Sequence, residues 1–125
     1  MKIKSVFLAA ILVAVLCISG NLSAYYGGGD GSAESPYQIA NVEDWQELMA
    51  TPGDWGSSFI LTADVDLYGI TLTPVGDYNM NGGSGVRFTG VFDGNNHIIR
   101  NAEMNRPESD YIGLFGYASG EIHNL

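Results

Sequence analysis

One short pattern occurs twice at a fixed interval. Gly90-Val91-Phe92 returns as Gly113-Leu114-Phe115, and Ile99-Arg100-Asn101-Ala102 returns as Ile122-His123-Asn124-Leu125, each displaced by 23 positions. Two blocks sharing one displacement mark an internal repeat, and a period of this length built from short strands belongs to solenoids that stack strand upon strand. The spacing therefore predicts an all-β chain folded as a parallel β-helix. Residues one period apart would lie about 4.8 Å above one another. Phe92 would stack beneath Phe115 and Ile99 beneath Ile122, with Asn101 beneath Asn124 as an amide ladder at a turn. A leucine-rich repeat shares the period, but neither copy supplies its leucines or a helical return. A small antiparallel sandwich would give alternating runs and hairpin turns without equal displacements.

The remaining sequence fits around this repeat. Tyr25 to Ser35 is glycine-rich and has no helical or strand period, so it reads as a loop leading into the fold. Pro36 to Ile39 reads as an edge strand. Asn41 is the expected cap of a short helix whose Val42, Trp45, Leu48 and Met49 share one face, ended by Thr51-Pro52-Gly53. Such a helix is marginal alone and must dock, with Trp45 as its anchor. Together residues 25–58 form a lead-in and capping helix. Residues 59–125 form the first coils, with strands expected at 59–62, 65–67, 90–92, 98–99, 111–115 and 121–125. Gly76 to Gly85 reads as an exposed loop.

Residues 1–24 have the parts of a secretory signal: Lys2 and Lys4, an apolar run from Val6 to Ile18, and Leu22-Ser23-Ala24 before the expected cleavage point. The apolar run spans only about 20 Å, short of a hydrocarbon core of about 30 Å. Cys17 is the only cysteine, and Leu16 before it lacks the small side chain of a lipoprotein site. The exported chain thus has no disulfide and must draw its stability from its core, from repetition or from bound ions. It keeps all 14 carboxylates against Arg87, Arg100 and Arg106, a formal charge of 3 − 14 = −11 compared with −9 for the whole chain. Such a surface repels nucleic acid and anionic membranes.

The string from Phe88 through Gly90, Phe92, Asp93 and Gly94 to Ile99, followed by Tyr111-Ile112-Gly113-Leu114-Phe115-Gly116 and Gly120 to Leu125, resembles the GLUG-motif proteins. Gly29 to Ile39, the helix around Trp45 and Phe59 to Leu67 are similar to the start of such regions, so the resemblance covers nearly all of the chain after the signal. It implies a right-handed parallel β-helix stack in bacterial secreted or cell-surface, adhesin-like proteins. It assigns structural roles, and no catalytic one, to Gly90, Phe92, Asp93, Gly94, Ile99, Asn101, Gly113, Leu114, Phe115, Gly116, Ile122 and Asn124. Members of that family carry several copies, whereas this sequence reaches Leu125 as the second closes and lacks a polar cap. An amino-terminal fragment of a longer protein is the expectation.

Chemistry is sparse. Asp64, Asp66 and Gly69 resemble the start of a calcium loop, but Tyr68 and Val75 stand where oxygen ligands are required. Calcium is left to the overall charge, with no site to name, and no cofactor is expected. His97 and His123 lack metal-ligand spacing, and there is no G-x-S-x-G elbow. Asp64 and Asp66, two apart on a strand, would lie about 6.8 Å apart on one face, a carboxylate spacing suited to glycoside hydrolysis. A polysaccharide lyase or glycosidase on a β-helix is therefore the alternative to a non-catalytic adhesin-like scaffold. A third reading is carbohydrate binding through Trp45, Trp55, Tyr68, Tyr78 or Tyr117. Trp55 and Tyr78, placed in loops, are the preferred ligand contacts. The partners expected are an extracellular glycan or a host or cell-surface protein.

Overall fold

The computed structural model describes residues 26–78, 85–105 and 113–125. The expected signal, the tip of the Gly76 to Gly85 loop and the strand residues Tyr111 and Ile112 lie outside the described residues. Six short strands and one helix follow in the order β1 (Tyr37–Ile39), α1 (Val42–Ala50), β2 (Ser58–Leu61), β3 (Val65–Asp66), β4 (Val91–Asp93), β5 (Ile99–Arg100) and β6 (Glu121–His123), with a 3₁₀ turn at Pro52–Asp54 after the helix.

Among the described residues all pairings between strands are parallel, in two ladders. One runs β1-β2-β4-β6 and the other β3-β5. Parallel bridges add Val75 to Phe115 and Phe88 to Ala118, and an antiparallel bridge from Asp77 to Val86 closes the base of the glycine-rich loop. In the long ladder Tyr37, Phe59, Phe92 and Ile122 lie in one column. Parallel neighbours demand long connections, and here Phe59 to Phe92 is a step of 33 residues and Phe92 to Ile122 a step of 30.

The 23-residue displacement is therefore not the stacking register. Phe92 pairs with Ile122 rather than Phe115, and Ile99 pairs with Val65 rather than Ile122. Phe115 bridges Val75, although its ring lies 5.1 Å from that of Phe92 in the core. No ladder joins Asn101 to Asn124. Each instead occupies the left-handed region, with φ of 57° and 56°, directly after a strand. Each donates its amide to a neighbouring strand, Asn101 to Asp66 and Asn124 to Asp93. The repeated letters record the same local turn used at two places, because an L-residue leaving a strand through positive φ is best an asparagine.

Glycines sit where neighbouring backbones nearly touch. A β-carbon on Gly90 would lie 1.9 Å from Ser57 O, and one on Gly120 would lie 2.1 Å from Gly90 O. Each precedes a strand of the long ladder, so the close approach, not an unusual φ, selects glycine there.

The helix forms as its sequence dictates. Asn41 accepts from Asp44 N at 3.0 Å, and Asp44 reaches back to Ala40 N at 2.9 Å, satisfying donors at an N-terminus that favours acidic residues. Its inner face buries Trp45 and Leu48. Trp45 packs edge-on against Phe92 and Phe115, at 5.7 and 6.1 Å between ring centres. Its Nε1 has no hydrogen-bond partner among the described residues. Phe59, Phe88 and Phe115 extend the aromatic chain at 6.0 and 5.2 Å, each such pair adding about 0.5–1.5 kcal/mol beyond area burial.

The glycine-rich lead-in is structured. Gly27 N donates to Gln38 O at 2.7 Å, and Gln38 N to Gly28 O at 2.9 Å. The segment thus covers the outer edge of β1, which would otherwise offer unpaired backbone to other chains.

Candidate ligand-binding surface

Two acidic turns lie on the outside of the ladders. At the first, Asp64 Oδ1 accepts from Ile98 N at 2.9 Å and lies 3.2 Å from His97 Nδ1, while Arg100 Nη2 is 3.5 Å from its Oδ2. Two residues on, Asp66 Oδ1 accepts from its own turn at Tyr68 N, 3.0 Å away, and from Asn101 Nδ2 at 2.8 Å. The second turn reproduces the latter arrangement: Asp93 Oδ1 accepts from Asn95 N at 2.8 Å and from Asn124 Nδ2 at 3.1 Å. His123 Nδ1 lies 3.7 Å from the same oxygen.

Hydrogen bonds to the ionised form hold all three carboxyls below the ordinary aspartate range. The main cause is the Ile98 backbone N–H for Asp64, the Asn101 amide for Asp66 and the Asn124 amide for Asp93. These carboxylates are acceptors already occupied by the protein. General-acid chemistry needs the opposite, a carboxyl whose proton is retained near neutral pH. Among the described residues, no group of three or more His, Cys, Asp or Glu side chains is placed to hold a metal ion.

The two aromatics preferred as ligand contacts differ in placement. Trp55 is 1% exposed. It turns inward behind the 3₁₀ turn and donates Nε1 to Leu48 O at 2.7 Å, closing the C-terminal end of α1. The loop position suggested exposure, but the helix end left a carbonyl that an indole N–H satisfies while its ring fills the core. Tyr78 is partly exposed at the base of the Asp77–Val86 hairpin. Its ring meets Tyr117 edge-on at 5.3 Å, and the Arg87 guanidinium lies 4.7 Å from the centre of the Tyr117 ring. Trp45 is fully buried, as its anchoring role requires.

Tyr68 is the most exposed aromatic among the described residues, 81% exposed. The turn at Asp66 and the positive φ of Gly69, 81°, project it from the end of β3. It borders an open groove of about 440 Å³ whose lining includes Leu67, Leu72, Asn101, Glu103 and Asn105. The signal was present in the sequence: an aspartate two residues before Tyr68 and a glycine immediately after it mark a turn tip.

The chain is 34% identical over 117 residues to Halomucin of Haloquadratum walsbyi, covering 83% of this chain and 1% of that protein. It is also 34% identical over 111 residues to a putative Gly-rich membrane protein of Evansella cellulosilytica, covering 82% of this chain and 12% of that one. The chain thus corresponds to a small part of the length of either relative. No protein-family model matches it, and no solved structure does.

Proposed function

We propose that this chain is a non-catalytic segment of a right-handed β-solenoid, of the GLUG-motif kind, in a secreted or cell-surface protein, where it serves as an adhesin-like scaffold. The observation that carries this reading is the column Tyr37, Phe59, Phe92, Ile122, in which strands 22, 33 and 30 residues apart lie parallel and in register. A chain that circles back to the same column stacks its own turns, and stacked turns make a rigid spacer. Similarity to small parts of two longer proteins, one of them named as a membrane protein, supports a surface setting. The expected signal at residues 1–24 agrees with it.

The stacking is tested by cross-linking. Val91 and Glu121 are strand partners, about 4.8 Å apart at Cα, within the reach of a disulfide. Cysteines at 91 and 121, with Cys17 replaced by serine, should oxidise to an intramolecular bridge. Cysteines at 91 and 114, which the 23-residue spacing would pair, should bridge poorly. The reverse preference would overturn the stack. Export is tested separately by sequencing the mature amino terminus, expected to begin at Tyr25. Release of reducing ends or unsaturated products from a polysaccharide panel would overturn the non-catalytic part of the reading.

A further inference from the structure

The groove below Tyr68 has the chemistry of a small-ligand site. Its volume, about 440 Å³, falls in the range of about 300–1,000 Å³ typical of such sites. Its floor contains the buried side chains of Leu67 and Leu72. One wall comes from the segment that follows β5. Asn101, Glu103 and Asn105 line the groove, while Met104 packs against the core. The other wall is Tyr68. Asn101 is engaged by Asp66, and the exposed Glu103 and Asn105 on this wall, with Thr71 of the groove lining, are polar groups that a ligand would meet.

We infer that this groove is a binding site for a neutral oligosaccharide, seated against the Tyr68 ring and hydrogen-bonded by Glu103 and Asn105. A pyranose presents an apolar C–H face and a rim of hydroxyls, and the groove presents an aromatic side chain beside a carboxylate and an amide. Hydroxyls donate to the carboxylate, and the amide both donates and accepts. Among the described residues no cationic side chain lines the groove, and the chain is strongly acidic, which disfavours uronates, sulfated glycans and nucleotides. A wholly apolar ligand would leave Glu103 and Asn105 without partners. The site requires only the local fold around β3 and β5 and stands apart from the scaffold reading.

The test uses the purified mature chain with neutral cello-, malto-, laminari- and manno-oligosaccharides, and with oligogalacturonates as the acidic comparison. Calorimetry measures affinity, and amide chemical-shift changes locate the ligand. At least one neutral series should bind, with shifts concentrated at 67–72 and 101–105. Tyr68→Ala should weaken binding by about tenfold, the upper end expected for one aromatic contact. Tyr68→Trp should preserve it, Glu103→Gln should weaken it less than Tyr68→Ala, and Tyr78→Ala should leave it unchanged. Failure of every neutral series to bind, preference for the acidic series, shifts elsewhere, or wild-type affinity in Tyr68→Ala would each overturn the proposal. None of these outcomes alters the cross-linking result, so the two readings fail separately.

Discussion

Asn101 donates its side-chain amide to Asp66 across 2.8 Å while its own backbone sits at φ 57°. One residue thus joins two neighbouring strands and turns the chain out of β5. The two duties separate by mutation. Asn101→Gly keeps the turn and loses the hydrogen bond. Asn101→Ala loses both and adds a left-handed backbone cost of about 1 kcal/mol. Alanine should therefore lower the urea midpoint more than glycine. Equal effects would show that the conformational role is absent.

Acid should weaken the fold. Asp64, Asp66 and Asp93 all have folded-state values below the ordinary aspartate value, through hydrogen bonds from Ile98 N, Asn101 and Asn124 respectively. Between the depressed values and about pH 4 the folded state binds fewer protons than the unfolded chain, so stability rises with pH in that window. The contribution is complete above about pH 5 and is lost as pH falls through the folded values. Exposure to solvent keeps it modest. Urea midpoints should be level from about pH 7 to 5 and then fall, less steeply in Asp66→Asn; a midpoint that rises on acidification would contradict this.

Gly120→Ala and Gly90→Ala should both be severely disruptive. The added carbon meets a backbone carbonyl at 2.1 Å or 1.9 Å, and a backbone cannot move aside as a side chain can. Overpacking of this kind costs about 3 kcal/mol or more. Gly53→Ala meets nothing within 4 Å and should be neutral or slightly stabilising, through the unfolded chain. Thermal melts of the three variants check the contrast.

Trp55→Ala should destabilise by about 3–5 kcal/mol, the cost of emptying a large buried aromatic site. Trp55→Phe should cost less, about 1–3 kcal/mol, chiefly through the lost partner of Leu48 O. Neither change touches the Tyr68 groove. Any folded fraction of Trp55→Phe should therefore bind oligosaccharide as the unaltered chain does, measured by calorimetry.

Local chemistry was legible in the sequence, and long-range pairing was not. Asn41 and Trp45 announced the helix and its buried face, and Pro36 marked the start of an edge strand. Short runs bounded by Gly, Asn and Asp placed β2, β4 and β6 within a residue or two. The stacking register was misread because residue identity reports the conformation of a turn, not which turn lies above it. Asn101 and Asn124 match because each leaves a strand through positive φ beside an aspartate. The same letters would recur at any position with that geometry. Trp55 was misplaced for a related reason. Its surroundings in sequence are those of a loop, while its burial depends on the carbonyl of Leu48. Tyr68 carried its own turn signal, but the groove beside it is made with residues 101–105, which only folding brings near.

The helix near the amino terminus has a consequence for timing. Trp45 rests on Phe92 and Phe115, so its final seat is built from residues 47 and 70 positions further on. Contacts of such separation are slow to form, because the intervening chain must first be brought together. As the polypeptide emerges, this helix can coil early but has nothing to close upon. The helix at Val42–Ala50 is thus expected to lock late, only after the residues that seat Trp45 have been made.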